Sequence, residues 1–166
     1  MSREQQQLTE LTNAFFKWWF WYIQSGGGTS QNIIVDDEPT IRDASKIILE
    51  NLGYTVVTAE NGEEGVSLYT AHKDTIQLVI TDFSMPRKNG GRLSHDIHEV
   101  NADLPILLCT GYSETLELQR ISTSNFAAIL HKPLQRPVLA KVVRNLIDGR
   151  AIQDSVIPTP TDESLL

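Results

Sequence analysis

Between Ile33 and Ile147, short apolar runs alternate five times with segments of helical spacing, and no other feature narrows the possible folds as far. Ile33-Ile34-Val35 leads into a predicted helix over residues 40–52, where Ile41, Ala44, Ile47, Ile48 and Leu52 keep helical spacing and Gly53 stops the run. Residues 54–58, 77–81, 105–109 and 127–130 are predicted as further strands, and 63–71, 92–100, 114–122 and 138–147 as helices. This succession calls for a doubly wound α/β fold, with five parallel strands and helices on both faces. With strand order 2-1-3-4-5, the first, third, fourth and fifth strands are contiguous and whatever follows them shares one rim.

The residues that follow those strands carry the chemistry. Asp36, Asp37 and Glu38 come after the first, Asp82 after the third, Thr110 ends the fourth, and Lys132-Pro133 lies just beyond the fifth. The second strand runs into Ala59-Glu60-Asn61, with no comparable set. The first turn lacks the glycines that let a backbone cradle phosphates, which disfavours a nucleotide site of the Rossmann or P-loop kind. Alone, Asp36-Asp37-Glu38-Pro39 reads as a helix N-terminal cap. Converging with Asp82, the carboxylates repel unless a hard divalent cation binds among them, and magnesium is the expected ion. A lysine and a threonine hydroxyl on the same rim supply a cation and a donor for a phosphoryl group, so phosphoryl transfer to Asp82 is the natural reaction class.

Val35-Asp36-Asp37-Glu38-Pro39, Thr81-Asp82-Phe83-Ser84-Met85-Pro86 with Asn89-Gly90, Thr110-Gly111 and Lys132-Pro133 together resemble the receiver domain of two-component response regulators, over residues 32–149. That resemblance implies a flavodoxin-like fold and a phosphoacceptor rather than an enzyme. It implies that Asp82 accepts a phosphoryl group from the phosphohistidine of a histidine kinase or phosphotransfer protein. Asp36 and Asp37 would hold magnesium with Asp82 and the backbone carbonyl of Ser84, Lys132 would pair with the phosphoryl group, and Thr110 would move to hydrogen-bond it. The stretch from Leu108 to Glu114, with His131-Lys132-Pro133-Leu134, is similar to receivers attached to hybrid sensor kinases. Two positions depart from the pattern. Ile129 stands at the switch position, three residues before the lysine, where the family usually has Tyr or Phe, and a β-branched aliphatic cannot follow the threonine by the same rotation. Asn32 stands in the first strand where an apolar residue is usual.

Outside this core the composition changes. Phe15, Phe16, Trp18, Trp19, Phe20, Trp21 and Tyr22 are seven of the chain's twelve aromatic residues, followed by a Gly/Ser linker over 25–31. Residues 1–24 are expected to form an aromatic helix, apolar nearly all round from Phe15 to Ile23. The run is far short of the ~20 residues that cross a bilayer, and no small-residue cleavage site follows, so neither a transmembrane helix nor a signal peptide is expected. A docking or dimerisation helix, an interfacial anchor and an engineered addition all fit. Trp19 to Ile23 also resemble the Trp-rich end of the membrane-proximal external region of the human immunodeficiency virus envelope transmembrane subunit, a target of neutralising antibodies. That resemblance implies an alternative in which the receiver is an epitope scaffold, with Trp18, Trp19, Trp21 and Tyr22 bound by an antibody or docking protein.

Residues 150–166 lack apolar periodicity and read as a polar, solvated tail. The formal charge of −7 disfavours direct nucleic-acid binding, since phosphate affinity comes largely from Lys and Arg. A single cysteine, Cys109, excludes an internal disulfide framework and fits a cytoplasmic, reducing location. His95 and His98, three apart on one helix, are expected on a solvated face rather than as a metal pair.

Overall fold

The computed structural model describes residue 5, residues 31–111, residues 125–149 and residues 156–157. Apart from Gln5, the aromatic helix expected over 1–24 with Trp18, Trp19, Trp21 and Tyr22 lies outside the described residues, as do the helix expected over 114–122, all but the last residue of the 25–31 linker and most of the tail. The elements in chain order are β1 (Gln31–Val35), α1 (Pro39–Asn51), β2 (Thr55–Ala59), α2 (Gly62–His72), β3 (Ile76–Asp82), α3 (Gly90–Val100), β4 (Ile106–Thr110), β5 (Ala128–His131), α4 (Arg136–Ile147) and β6 (Val156–Ile157). All strand pairs are parallel, in the order β2-β1-β3-β4-β5-β6. The expected order 2-1-3-4-5 is the one observed.

Alternation along the strands builds two cores. Ile33, Val35, Val79, Ile106, Leu108 and Ile129 face Tyr69 of α2 and Leu93 and Ile97 of α3. On the opposite side, Ile34, Leu78, Ile80, Leu107, Cys109 and Leu130 meet Leu49 of α1 and Leu139, Val142 and Val143 of α4. Strands covered on both faces lose the apolar/polar alternation of an exposed sheet, and β4 is accordingly buried at every position. The helices begin and end where side-chain chemistry dictates. Asn61 and Asn89 cap α2 and α3 by accepting hydrogen bonds from the backbone N–H of Glu64 and Arg92, at 3.0 and 2.9 Å. Gly53, at φ 89°, lets the chain leave α1 through the left-handed region.

Two segments expected outside the core join the sheet, and the other elements begin or end within one or two residues of expectation. Gln31, assigned by sequence to the linker, is the first residue of β1, its N–H donating to the Thr75 carbonyl at 2.9 Å. Val156 and Ile157, inside the stretch expected as a solvated tail, pair with Ile129 and Leu130 at the edge of the sheet. Two β-branched residues are too few to display a period, yet they match the unpaired backbone edge that β5 offers. Asn32 is buried in β1 opposite Val56 and Leu78, with no hydrogen-bond partner for its Oδ1 among the described residues.

Candidate functional site

The rim at the carboxyl ends of the strands is assembled by where each strand stops. β1 ends at Val35, so Asp36 and Asp37 enter the turn to α1; β3 ends on Asp82, β4 on Thr110 and β5 on His131, with Lys132 next. Because β1 and β4 both flank β3, groups far apart in sequence arrive together. Oxygen atoms of Asp36, Asp37 and Asp82 lie within 4.8 Å of one another. Lys132 Nζ sits 2.9 Å from Asp36 Oδ2 and 2.7 Å from Asp82 Oδ1.

Local backbone chemistry holds these groups in place. Asp36 Oδ1 accepts the Glu38 N–H at 2.9 Å, and the Asp36 carbonyl accepts Arg42 Nη1 at 2.7 Å. Pro39 opens α1, but Glu38 at its N-cap position makes no side-chain capping bond, so Asp36 is committed to Lys132 and the turn rather than to helix capping. After β3 the chain folds back so that the Gly90 N–H donates to the Phe83 carbonyl at 2.9 Å. A Cβ at Gly90 would lie 2.4 Å from the Asp82 carbonyl oxygen, so only glycine lets the start of α3 press on the backbone of Asp82. Thr81 Oγ1 donates to that same carbonyl at 2.9 Å.

Burial divides the acids. Asp36 and Asp82 are 3% and 5% exposed, whereas Asp37 is open to solvent. Burial alone would lower the Lys132 pKa, but hydrogen bonds to Asp82 and Asp36, together with their charges, outweigh it and hold the ammonium above its usual range. Lys132 therefore remains charged. Three carboxylates against one ammonium leave the rim short of positive charge, and the donors are hard oxygens, one of them reachable from water. This set fits a small divalent cation of the magnesium type. Thr110 is fully buried, and its Oγ1 donates to the Gly111 carbonyl at 3.3 Å. Behind the rim, burial pushes the Cys109 thiol up to about 12, so this cysteine packs as an apolar residue.

The remaining expectations fall into place unevenly. Ser84, two residues past Asp82, is exposed in the loop after β3. Ile129 is buried on the face it shares with Leu108, one alternation below the Thr110 level. His95 is exposed as expected, while His98 is half-buried with Nε2 3.0 Å from the Leu104 carbonyl, where it ties the end of α3 to the following turn. Arg42 was not singled out by the sequence: it lies on the polar side of α1 and looks like any solvated arginine until its Nη1 contact with the Asp36 carbonyl is seen. Lys88 likewise pairs with Asp96 across the loop before α3.

Comparison with known proteins matches this geometry. The family model of the response regulator receiver domain matches residues 33–144. A response regulator receiver domain protein from Clostridium thermocellum superposes with a TM-score of 0.68 at 27% identity, over 72% of this chain and 95% of that one. The response regulator TrrA of Thermotoga maritima, solved in complex with Mg2+-BeF, superposes with a TM-score of 0.64 at 30% identity, over 70% of this chain and 98% of that one. The probable transcriptional regulator ycf27 of Cyanidium caldarium is 39% identical over 85 residues, which is 51% of this chain and 33% of that protein. The chain spans about a quarter to a third of the length of the first such curated relatives. Since the family match extends over most of the described sheet and all four strand ends that form the rim, the chain belongs to the response regulator receiver domain family.

Proposed function

We propose that this chain is the phosphoacceptor of a two-component phosphorelay, with Asp82 taking a phosphoryl group from the phosphohistidine of a histidine kinase or phosphotransfer protein. The observation that carries the reading is the placement of Lys132 Nζ between the buried carboxylates of Asp36 and Asp82, beside exposed Asp37. Asp82 Oδ attacks phosphorus, an O–P bond forms, the P–N bond breaks, and the imidazole leaves with the bonding electron pair. Lys132, already charged and in contact with Asp82, neutralises a phosphoryl oxygen, and the Thr110 hydroxyl donates to another. Asp36, Asp37, Asp82 and the Ser84 carbonyl would hold magnesium, which supplies charge neutralisation for the transferring group. Arg42 fixes the turn that carries Asp36 and Asp37.

Incubation with acetyl phosphate followed by mass spectrometry tests this. Wild type is expected to gain one phosphoryl group in a magnesium-dependent manner, and Asp82→Asn none. Equal labelling of the two proteins, or labelling that survives chelation, overturns the assignment.

The expected reducing, cytoplasmic location and the resemblance to receivers of hybrid sensor kinases accompany this reading as proposals. Among the described residues no helix is long and apolar enough to cross a membrane. The concentration of aromatics in residues 15–22 favours a second activity for the N-terminal segment, protein binding through Trp18, Trp19, Trp21 and Tyr22, whether by a docking protein or by an antibody to the viral helix it resembles. Removing residues 1–30 is expected to abolish such binding and leave Asp82 labelling intact; unfolding of the truncated chain overturns that second reading.

A further inference from the structure

We propose that His131 is a positioning residue for the phosphorylated state, its Nδ1–H donating to Thr110 Oγ1 once that hydroxyl has turned to the phosphoryl group on Asp82. The proposal rests on the phosphoacceptor reading of Asp82.

Three features of the β4–β5 end carry it. Thr110 and His131 are register partners on adjacent parallel strands, so their side chains leave the sheet side by side on one face. That face is the one that holds Leu108 and Ile129. His131 is half-buried, and its Nδ1 is buried with no hydrogen-bond partner among the described residues. Leaving a buried polar atom unpaired is costly, and such an atom in a folded protein calls for an explanation. The backbone at this point is already closed, the Lys132 N–H donating to the Thr110 carbonyl at 2.8 Å, so the two side chains are held level whatever their rotamers.

The chemistry of the hydroxyl sets the direction of the bond. A threonine hydroxyl has one proton to give and can accept two. In the structure Oγ1 donates to the Gly111 carbonyl at 3.3 Å. When the proton goes instead to a phosphoryl oxygen, Oγ1 can only accept from a further neighbour, and Nδ1 must then be the protonated nitrogen of the ring. A chain Nδ1–H to Oγ1–H to phosphoryl oxygen polarises each bond in turn. Such a chain stabilises the aspartyl phosphate and carries its presence to β5. Ile129, with no polar atom, cannot supply this link, and its side chain is packed in the apolar core one alternation away.

The experiment uses the full chain labelled with 15N-histidine, with beryllofluoride and magnesium as the phosphoryl mimic and acetyl phosphate as the donor for lifetime measurements. The His131 signals are those missing from His131→Phe. On adding the mimic, the Nδ1 resonance is expected to shift toward a protonated, hydrogen-bonded position. His131→Phe, which keeps a ring but no nitrogen, is expected to shorten the lifetime of the aspartyl phosphate about fivefold, the worth of one ordinary hydrogen bond. His131→Asn, which retains a donor near the position of Nδ1, restores most of it. In a Thr110→Val background, His131→Phe has no further effect, because the two groups act as one unit.

An unmoved Nδ1 resonance, undiminished loss in the Thr110→Val background, or an Asn variant no better than the Phe variant each overturn the proposal alone. Should His131→Phe not fold, the resonance shift and the Asn variant still decide. Failure of wild type to label at Asp82 overturns the phosphoacceptor reading, and this proposal with it.

Discussion

The two ends of the same rim are built in opposite ways. At β1 and β3 the two buried carboxylates are tied down: Asp36 by Glu38, Arg42 and Lys132, and Asp82 by Lys132 and the close approach of Gly90. At β4 and β5 the corresponding level holds a threonine hydroxyl that donates to the adjacent Gly111 carbonyl at 3.3 Å, an aliphatic residue in place of an aromatic one, and a histidine nitrogen with no hydrogen-bond partner among the described residues. The contrast separates two jobs. Groups that bind charge must be fixed before the charge arrives, since a preorganised site has no reorganisation cost at the moment of reaction. Groups proposed to report the event must be able to change partners, and His131 Nδ1, buried with no partner among the described residues, has that freedom.

The largest expected effect breaks the tight end. In Lys132→Ala, Asp36 and Asp82 face each other without their cation, and removing one partner of a buried pair costs ~3–5 kcal/mol. The urea midpoint should fall accordingly and recover in part with millimolar magnesium. A loss below about 1 kcal/mol would mean that solvent already screens the pair, and the contrast between the two ends would collapse.

Next in size is Gly90→Ala, whose methyl group must displace the Asp82 backbone that it would approach to 2.4 Å. Overpacking of this kind costs ~1–3 kcal/mol, and acetyl phosphate labelling should slow because the Asp82 backbone itself moves. A comparison variant is Gly149→Ala, where a Cβ meets nothing within 4 Å and only the φ of +66° resists. It is expected to leave labelling unchanged. Equal slowing in both would show that the tight packing behind Asp82 is not what matters.

On the loose side, Ile129→Val removes one buried methylene from the core beneath Thr110 and is expected to cost ~0.5–1.5 kcal/mol. Thermal unfolding should register the loss while the labelling rate at Asp82 stays put. A matching drop in labelling would join packing to chemistry and erase the difference between the two ends of the rim.

The smallest effect lies away from the rim. The Lys88 hydrogen bond, against a modest opposing burial, holds the Asp96 carboxyl below its ordinary value. A carboxyl depressed in the folded state contributes stability above its unfolded pKa and loses it as pH falls through the folded value. The stability gap between wild type and Asp96→Asn should therefore be present at neutral pH and close on acidification. A gap independent of pH would rule out the ion pair as its source.

Much of this molecule can be read along the chain. Ile33-Ile34-Val35, Gln77 to Thr81 and the helical spacing of Ile41, Ala44 and Ile48 declare their elements, because period and propensity are properties of neighbouring residues. Asp36, Asp37, Asp82, Thr110 and Lys132 were legible as a set because doubly wound topology sends the ends of neighbouring strands to one place. Arg42 and Lys88 were not, since an arginine or lysine on a polar helix face carries no sign of the carbonyl or carboxylate it will meet. Gln31 and Val156-Ile157 were assigned to linker and tail because strand ends are decided by the backbone edge beside them, which the local sequence does not contain.

By itself, then, the sequence determined the order of elements, the class of fold and the roster of rim residues, all of which follow from short-range pattern and one topological rule. Only the tertiary structure decided that Lys132 pairs with Asp36 and Asp82 and that Asp37 stays in water. It also decided that Asn32 Oδ1 and His131 Nδ1 are buried with no hydrogen-bond partner among the described residues. The physical reason is that pairing and burial depend on strand register and on what covers each face. Lys132 and Asp36, 96 residues apart, meet only because β1 and β4 both lie against β3 and β5 lies against β4.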